Sequence, residues 1–178
     1  LNTTGALTLA NAVTLGAGGG TVLTGADTTL SGVISGAGAL VKTGAANLTL
    51  SGANTYSGGT TVSAGTLTGT TTSLQGDILN NAAVVFDDAG LGTYAGNLTG
   101  TGTLTKLNTG SVTLSGVNTY SGATTISGGT LIAAGTGIGD SSAVTVDAGA
   151  LFQLTGDETI GSLAGAGDVD TGAFTLTA

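Results

Sequence analysis

The chain of 178 residues contains no cysteine, proline, methionine, tryptophan or histidine. Arginine is absent too, since its two basic residues are Lys42 and Lys106. Without cysteine there is no disulfide, and stability outside a reducing compartment must come from hydrogen-bond ladders and packing. Without histidine or cysteine, the Ser–His and Cys–His nucleophile pairs are excluded. Ten acidic residues against two lysines leave a net charge of −8. That charge repels a phosphate backbone and an anionic lipid surface, so nucleic acid is not an expected partner. No window of 18 apolar residues is present, so no helix of this chain is expected to span a membrane. The first residues, Leu1-Asn2-Thr3-Thr4-Gly5, form neither a methionine start nor a basic leader, and the chain reads as a mature product or a cut piece.

What is present is glycine, 35 residues of it, set between short apolar runs in a chain that is 40% hydrophobic. That apolar content argues against disorder. The spacing instead suits many short strands joined by tight turns. Leu7-Thr8-Leu9, Leu48-Thr49-Leu50, Val112-Thr113-Leu114, Val144-Thr145-Val146 and Phe174-Thr175-Leu176 alternate apolar and hydroxyl side chains. A period of two marks a half-buried strand.

The chain also repeats itself. Residues 32–67 superpose on 96–131 without a gap, at an offset of 64, with roughly 20 of 36 positions identical. A partial third copy occupies 161–178. A sandwich or barrel has no need to copy itself position by position, whereas stacked coils do, because each coil lies on its own kind. The expectation is an all-β, right-handed parallel β-helix of about eight coils of roughly 21 residues. Residues 64 apart would then lie three coils apart along one axis. Residues 1–178 form one segment of this helix. No polar cap marks either end, which predicts continuation in a longer chain or a homo-oligomer stacked end to end.

Candidate chemistry is sparse. Asp87-Asp88 and Asp157-Glu158 are adjacent acids, and adjacent strand residues point to opposite faces. A glycosidase needs two converging carboxylates, and neither pair supplies them. Asp168 and Asp170 lie in Gly165-Ala166-Gly167-Asp168-Val169-Asp170, a faint likeness to a calcium nonapeptide that never repeats at nine residues. Tyr56 and Tyr120 share a repeat position and are expected as packing anchors, with Tyr94 a related one. Lys42 and Lys106 share another, and are expected either to pair with acids on neighbouring coils or to block unwanted edge pairing. Asn54 and Asn118 fall in Ser-Gly-Xaa-Asn-Thr-Tyr-Ser-Gly segments that read as loops. Thr28-Thr29, Thr60-Thr61, residues 70–72 and Thr124-Thr125 do not recur on every coil of the expected length, so no regular threonine lattice is expected. No catalytic, cofactor-binding or metal-ligating residue is assigned, and no cofactor.

The stretch from Gly32 to Leu67, with its Leu-Thr-Leu-Ser-Gly-Ala-Asn-Thr-Tyr-Ser-Gly string, resembles the passenger-associated transport repeat, also called the autotransporter-associated β-strand repeat. That repeat occurs in large passengers of type V secreted proteins of Gram-negative bacteria. Asn80–Asp87 and Gly92–Lys106 resemble the segment that precedes it, and Ala143–Leu151 and Thr159–Gly167 the segment that follows. One departure is Leu107-Asn108 in place of Thr43-Gly44, which predicts a reshaped turn. The resemblance implies a surface-exposed or released, non-catalytic β-helical stalk of an adhesin that helps its passenger cross the outer membrane and fold. Its implied partners are a C-terminal outer-membrane β-barrel translocator, absent from this chain, and a host surface or matrix ligand.

Overall fold

Alternating apolar and hydroxyl residues put every second side chain on one side of an extended backbone. Glycine-rich corners then turn each strand into the next. The computed structural model describes all 178 residues and contains 24 strands of two to five residues and no helix. Every strand pairing is parallel. A parallel pair requires a crossover, and here the crossover is the rest of a coil.

The chain winds over three faces in a fixed order. The first face carries Asn2–Thr3, Gly20–Thr24, Leu40–Thr43, Thr60–Val62, Ile78–Asn80 and Leu98–Thr99, and resumes at Glu158–Thr159 and Leu176–Thr177. The second face is continuous, with nine strands from Leu7–Leu9 to Ser162–Gly165. The third begins with Val13–Thr14 and Ile34–Ser35, breaks, and continues from Leu91–Tyr94 to Asp168–Asp170. Nine strands on the unbroken face mean nine coils, one more than expected from the sequence. Register partners on that face run Leu7, Thr28, Leu48, Leu67, Val84, Leu104, Thr124, Val144 and Leu163. Successive partners are unequally spaced, the step from Leu67 to Val84 being the shortest and that from Leu7 to Thr28 the longest.

The expected alignment of residues 64 apart does not hold. Leu40 sits on the first face, beneath Thr60, Ile78 and Leu98, so three coils carry the chain from position 40 only as far as 98. Its repeat partner Leu104 lies on the second face, above Val84. Likewise Leu48 is on the second face and Val112 on the third. The repeating unit therefore measures three coils plus one face. The physical reason is that the three faces are interchangeable: each offers an apolar inner side and a ladder of free backbone groups to the next coil.

The interior is a stack of inward side chains. On the second face Leu48, Leu67, Val84, Leu104 and Val144 lie in one column, all fully buried. Val112, Leu131 and Phe152 do the same on the third. Truncating one of these, such as Leu131, is expected to cost about 2–5 kcal/mol. Each Thr-Thr step divides between inside and outside. Thr28, Thr60 and Thr124 point inward and are buried, while Thr29, Thr61 and Thr125 face out. The inward hydroxyls are all partnered within the core, Thr28 by Thr3 and the other two by tyrosines.

Candidate functional site

Of the repeat positions that carry buried polar groups, those of the asparagines and the lysines hold neighbouring coils together. Asn54 and Asn118 lie where a strand is missing, on the third face in the third coil and on the first face in the seventh. Their Ser-Gly-Xaa-Asn-Thr-Tyr-Ser-Gly segments still hydrogen-bond along the stack, Thr55 N–H to Ile34 C=O and Thr119 N–H to Leu98 C=O. The asparagine side chain supplies the rungs that the strand would have made. Asn54 Oδ1 accepts from Ile34 N–H at 2.7 Å on the coil below, and its Nδ2 donates to Ser73 C=O at 2.7 Å on the coil above. Asn118 repeats this with Leu98 N–H and Gly137 C=O, again at 2.7 Å. Both side chains are buried. An amide carries a donor and an acceptor on one planar group, the pair that a peptide unit presents.

The lysines depart from expectation. Lys42 and Lys106 are fully buried, each in the interior of its sheet, and their ammonium groups are held by carbonyls and not by acids. Lys42 Nζ donates to Thr43, Gly44 and Ala64 carbonyls at 3.1, 2.7 and 2.9 Å. Lys106 Nζ donates to Leu107, Asn108 and Gly128 carbonyls at 2.6, 3.0 and 3.3 Å. Two of the three carbonyls belong to the lysine's own corner and the third to the next coil, so the ammonium fastens one turn to another. Burial lowers both ammonium pKa values; for Lys106 the carboxylates of Asp88 and Asp87 oppose that shift. The turn expected to be reshaped keeps its shape: Asn108 adopts φ +67°, matching φ +82° at Gly44. Asparagine is among the side chains that best tolerate this left-handed region.

Tyr56 and Tyr120 are packing anchors, as their repeat position suggests. Both are buried, with their hydroxyls 2.8 Å from Thr60 Oγ1 and 2.6 Å from Thr124 Oγ1. Tyr94 donates to Gly76 C=O and packs against Phe86 with ring centroids 5.0 Å apart. Burial raises the pKa of all three phenols.

The acids do not converge. Asp87 is exposed, whereas Asp88 is buried and accepts from Thr71 N–H and Thr71 Oγ1–H, at 3.1 and 2.9 Å. Asp157 accepts from Thr175 N–H, while Glu158 turns inward, 3% exposed, and accepts from Gly137 N–H at 2.9 Å. Burial pushes the Glu158 carboxyl up to about 7, against the pull of the Gly137 and Ile138 N–H groups and with a further push from Asp140. Asp168 and Asp170 stand on an exposed strand, and Asp170 accepts from the Gln153 side-chain amide and from Gly172 N–H. No cluster of three potential metal-ligating acids forms.

A further alignment is invisible in the linear text. The register places Thr8, Thr29, Thr49, Thr68, Thr105, Thr125 and Thr145 in a single outward column on the second face, interrupted by Val85 and followed by Ala164. The Thr28-Thr29, Thr60-Thr61 and Thr124-Thr125 steps form no lattice, because the first hydroxyl of each turns inward; the outward threonines make a single column interrupted at Val85. Its members are unequally spaced along the chain, which hides them from a search for a fixed period.

A rod of parallel coils, bridged internally by asparagine and lysine, defines a β-solenoid. Comparison with known families connects it to autotransporter passengers. The passenger-associated-transport-repeat model matches this chain twice, at residues 40–68 and 104–133. Over 107 residues, 57% of this chain, it is 51% identical to the adhesin BmaC autotransporter of Brucella suis biovar 1 (strain 1330). The chain spans only 3% of that relative's length. No solved structure matches it. The repeat and the relative indicate a surface-exposed or secreted location.

Proposed function

We propose that this chain is a non-catalytic stalk segment of an autotransporter-like adhesin, and that its coils assist passage across the outer membrane and folding outside it. The observation that carries the reading is the coil-to-coil bridging by Asn54, Asn118, Lys42 and Lys106. Each new coil finds its hydrogen-bond partners on the coil already formed, so folding proceeds by addition and opposes backsliding without an external energy source. A C-terminal β-barrel translocator in the full protein, and a host surface or matrix ligand elsewhere on it, belong to this proposal.

Export tests it. A passenger carrying this segment ahead of a translocator barrel is compared with its Asn54→Leu/Asn118→Leu variant by surface protease accessibility over time. Slower surface appearance of the variant is expected. Equal rates would remove the folding-assisted step and leave only the stalk.

A second reading is end-to-end stacking of copies. The last coils expose Leu163, Val169 and Phe174, and the first coils leave a cavity of about 190 Å³ lined by Leu1, Leu9, Val13 and Leu15. Filaments of the isolated chain in electron micrographs would support this reading, and dispersed short rods at high concentration would oppose it.

A further inference from the structure

We propose that the lower edge of strand Leu91–Tyr94 is a docking site for an extended basic peptide, bound by strand addition. This strand pairs with Ser111–Leu114 above it and with no strand below. In a parallel pair, alternate residues serve opposite neighbours. Ser111 N–H donates to Gly90 C=O and Ser115 N–H to Tyr94 C=O, so Gly90, Gly92 and Tyr94 serve the coil above. Leu91 and Thr93 therefore aim their N–H and C=O groups at the coil below, where no backbone group meets them. An edge of unmatched donors and acceptors is a template for another strand.

The gap exists because the coil below is the short one. Between Leu67 and Val84 the chain turns through residues 70–75 instead of crossing the third face as a strand. That turn is tucked inward. Ser73 and Leu74 are buried, and the Thr71 side chain fills the space that a Cβ at Gly92 would need. Outside the turn remains a notch of about 460 Å³ lined by Thr71, Gln75, Asp77, Thr93 and Ala95. A strand added beside Leu91–Tyr94 would lie about 4.8 Å below it, at the level of this notch.

Three features set the chemistry of the occupant. The unmatched backbone groups call for an extended peptide whose own N–H and C=O groups can reach them. Leu91, 90% exposed, offers an apolar contact to the outward side chain of the added strand. The charges at the two corners are of one sign. Asp87 ends the second-face strand before the notch, and Asp77, which also accepts from Asn97 N–H, precedes the first-face strand after it. Both acids are exposed, and both lysines of the chain are buried. A peptide with lysine or arginine near each end and an apolar residue between them matches this pattern. The site is independent of the export proposal, because it belongs to the folded rod.

Amide-resolved nuclear magnetic resonance of the 178-residue chain tests it, with the acetylated and amidated peptide Lys-Thr-Leu-Thr-Leu-Lys as the probe. In the free chain the Leu91 and Thr93 amides are expected to exchange with solvent at least tenfold faster than those of Gly92 and Tyr94. Peptide at about 1 mM is expected to slow exchange at Leu91 and Thr93 about threefold or more, as a Kd of about 0.5 mM or tighter requires. Thr93→Pro removes one donor at an edge position, where proline is tolerated, and is expected to abolish binding with an unchanged far-ultraviolet spectrum. Asp87→Lys, on an exposed corner, is expected to weaken binding at least threefold, which keeps the test decisive if the proline variant does not fold. The same peptide with glutamate in place of both lysines is expected not to bind. No binding of the basic peptide at this concentration overturns the proposal. So does protection confined to the first or last coil, or binding that survives Thr93→Pro unchanged. Equal binding of the glutamate peptide overturns the basic partner.

Discussion

At the residue scale, stability is concentrated in a few buried polar groups. Asn118 offers its oxygen to one coil and its nitrogen to another, so the two ends of its amide are not interchangeable. Asn118→Asp keeps the shape and the acceptor but sets an oxygen against the Gly137 carbonyl. The expected loss is about 2–3 kcal/mol in chemical denaturation, the cost of an unsatisfied buried group. Asn118→Ala with the same stability as the parent would remove the bridging role. Glu158 gives a pH signature. Its folded-state pKa is raised to about 7 from 4.5, so the folded chain binds this proton more tightly than the unfolded one. Its contribution is most favourable below about 4.5 and is lost as pH rises through about 7, a span worth about 3 kcal/mol. The melting temperature is expected to fall between about pH 5 and about pH 8, the approximate bounds of that titration. General repulsion among the acids acts in the same direction, so Glu158→Gln isolates the effect. If the Gln variant shows the same pH slope as the parent, Glu158 is not its source.

At the element scale, strands are fixed and corners are adjustable. Shorter and longer coils coexist because corners absorb the difference while the strands stay in register. The shortest step spans the fourth to fifth coils, where residues 70–75 form a turn in place of a third-face strand and Ser73 Oγ accepts from Thr70 N–H. One alanine inserted between Ala89 and Gly90, an exposed corner, is expected to change stability by less than about 1 kcal/mol. The same insertion after Val112 would send Thr113 inward and Leu114 outward, since one residue of slip exchanges the two sides of a strand. Loss of cooperative unfolding is expected for the second variant only, read by denaturation curves.

What the sequence discloses also sorts by scale. Strand identity is legible in Leu48-Thr49-Leu50 and Val112-Thr113-Leu114, because a period of two has one simple geometric meaning. The tyrosine anchors follow from size and repetition. The lysines mislead because a buried ammonium is not expected without a carboxylate, and the chain satisfies it with carbonyls from two coils. Asn54 and Asn118 read correctly as loop residues, but their bridging is visible only once neighbouring coils are known. The threonine column is invisible because its members are related by register and not by constant spacing.

At the scale of the whole molecule, the repeat behaves as a unit of ten faces on a three-faced rod. The interior and the bridging residues turn by one face with each unit, so the features of a longer stack built this way would be distributed around its circumference. Deleting one unit, residues 40–103, brings Leu104 into the place of Leu40 with its own matching text. The shortened chain is expected to fold with an unchanged spectrum, about 15 Å shorter by small-angle scattering, as three coils at this rise require. A chain that failed to fold would show that the faces are not interchangeable.

The most direct test of this architecture is a pair of spin-label distances measured by electron resonance. Val41 and Thr99 are stacked through Thr61 and Leu79 on the first face, although they are not equivalent in the repeat. Val41 and Thr105 are equivalent in the repeat, yet lie on different faces. The account predicts about 14 Å of backbone separation for the first pair, three strand spacings, and a clearly longer distance for the second. If Val41 and Thr105 proved to be the closer pair, the repeat would run straight along the rod and the winding described for this chain would be wrong.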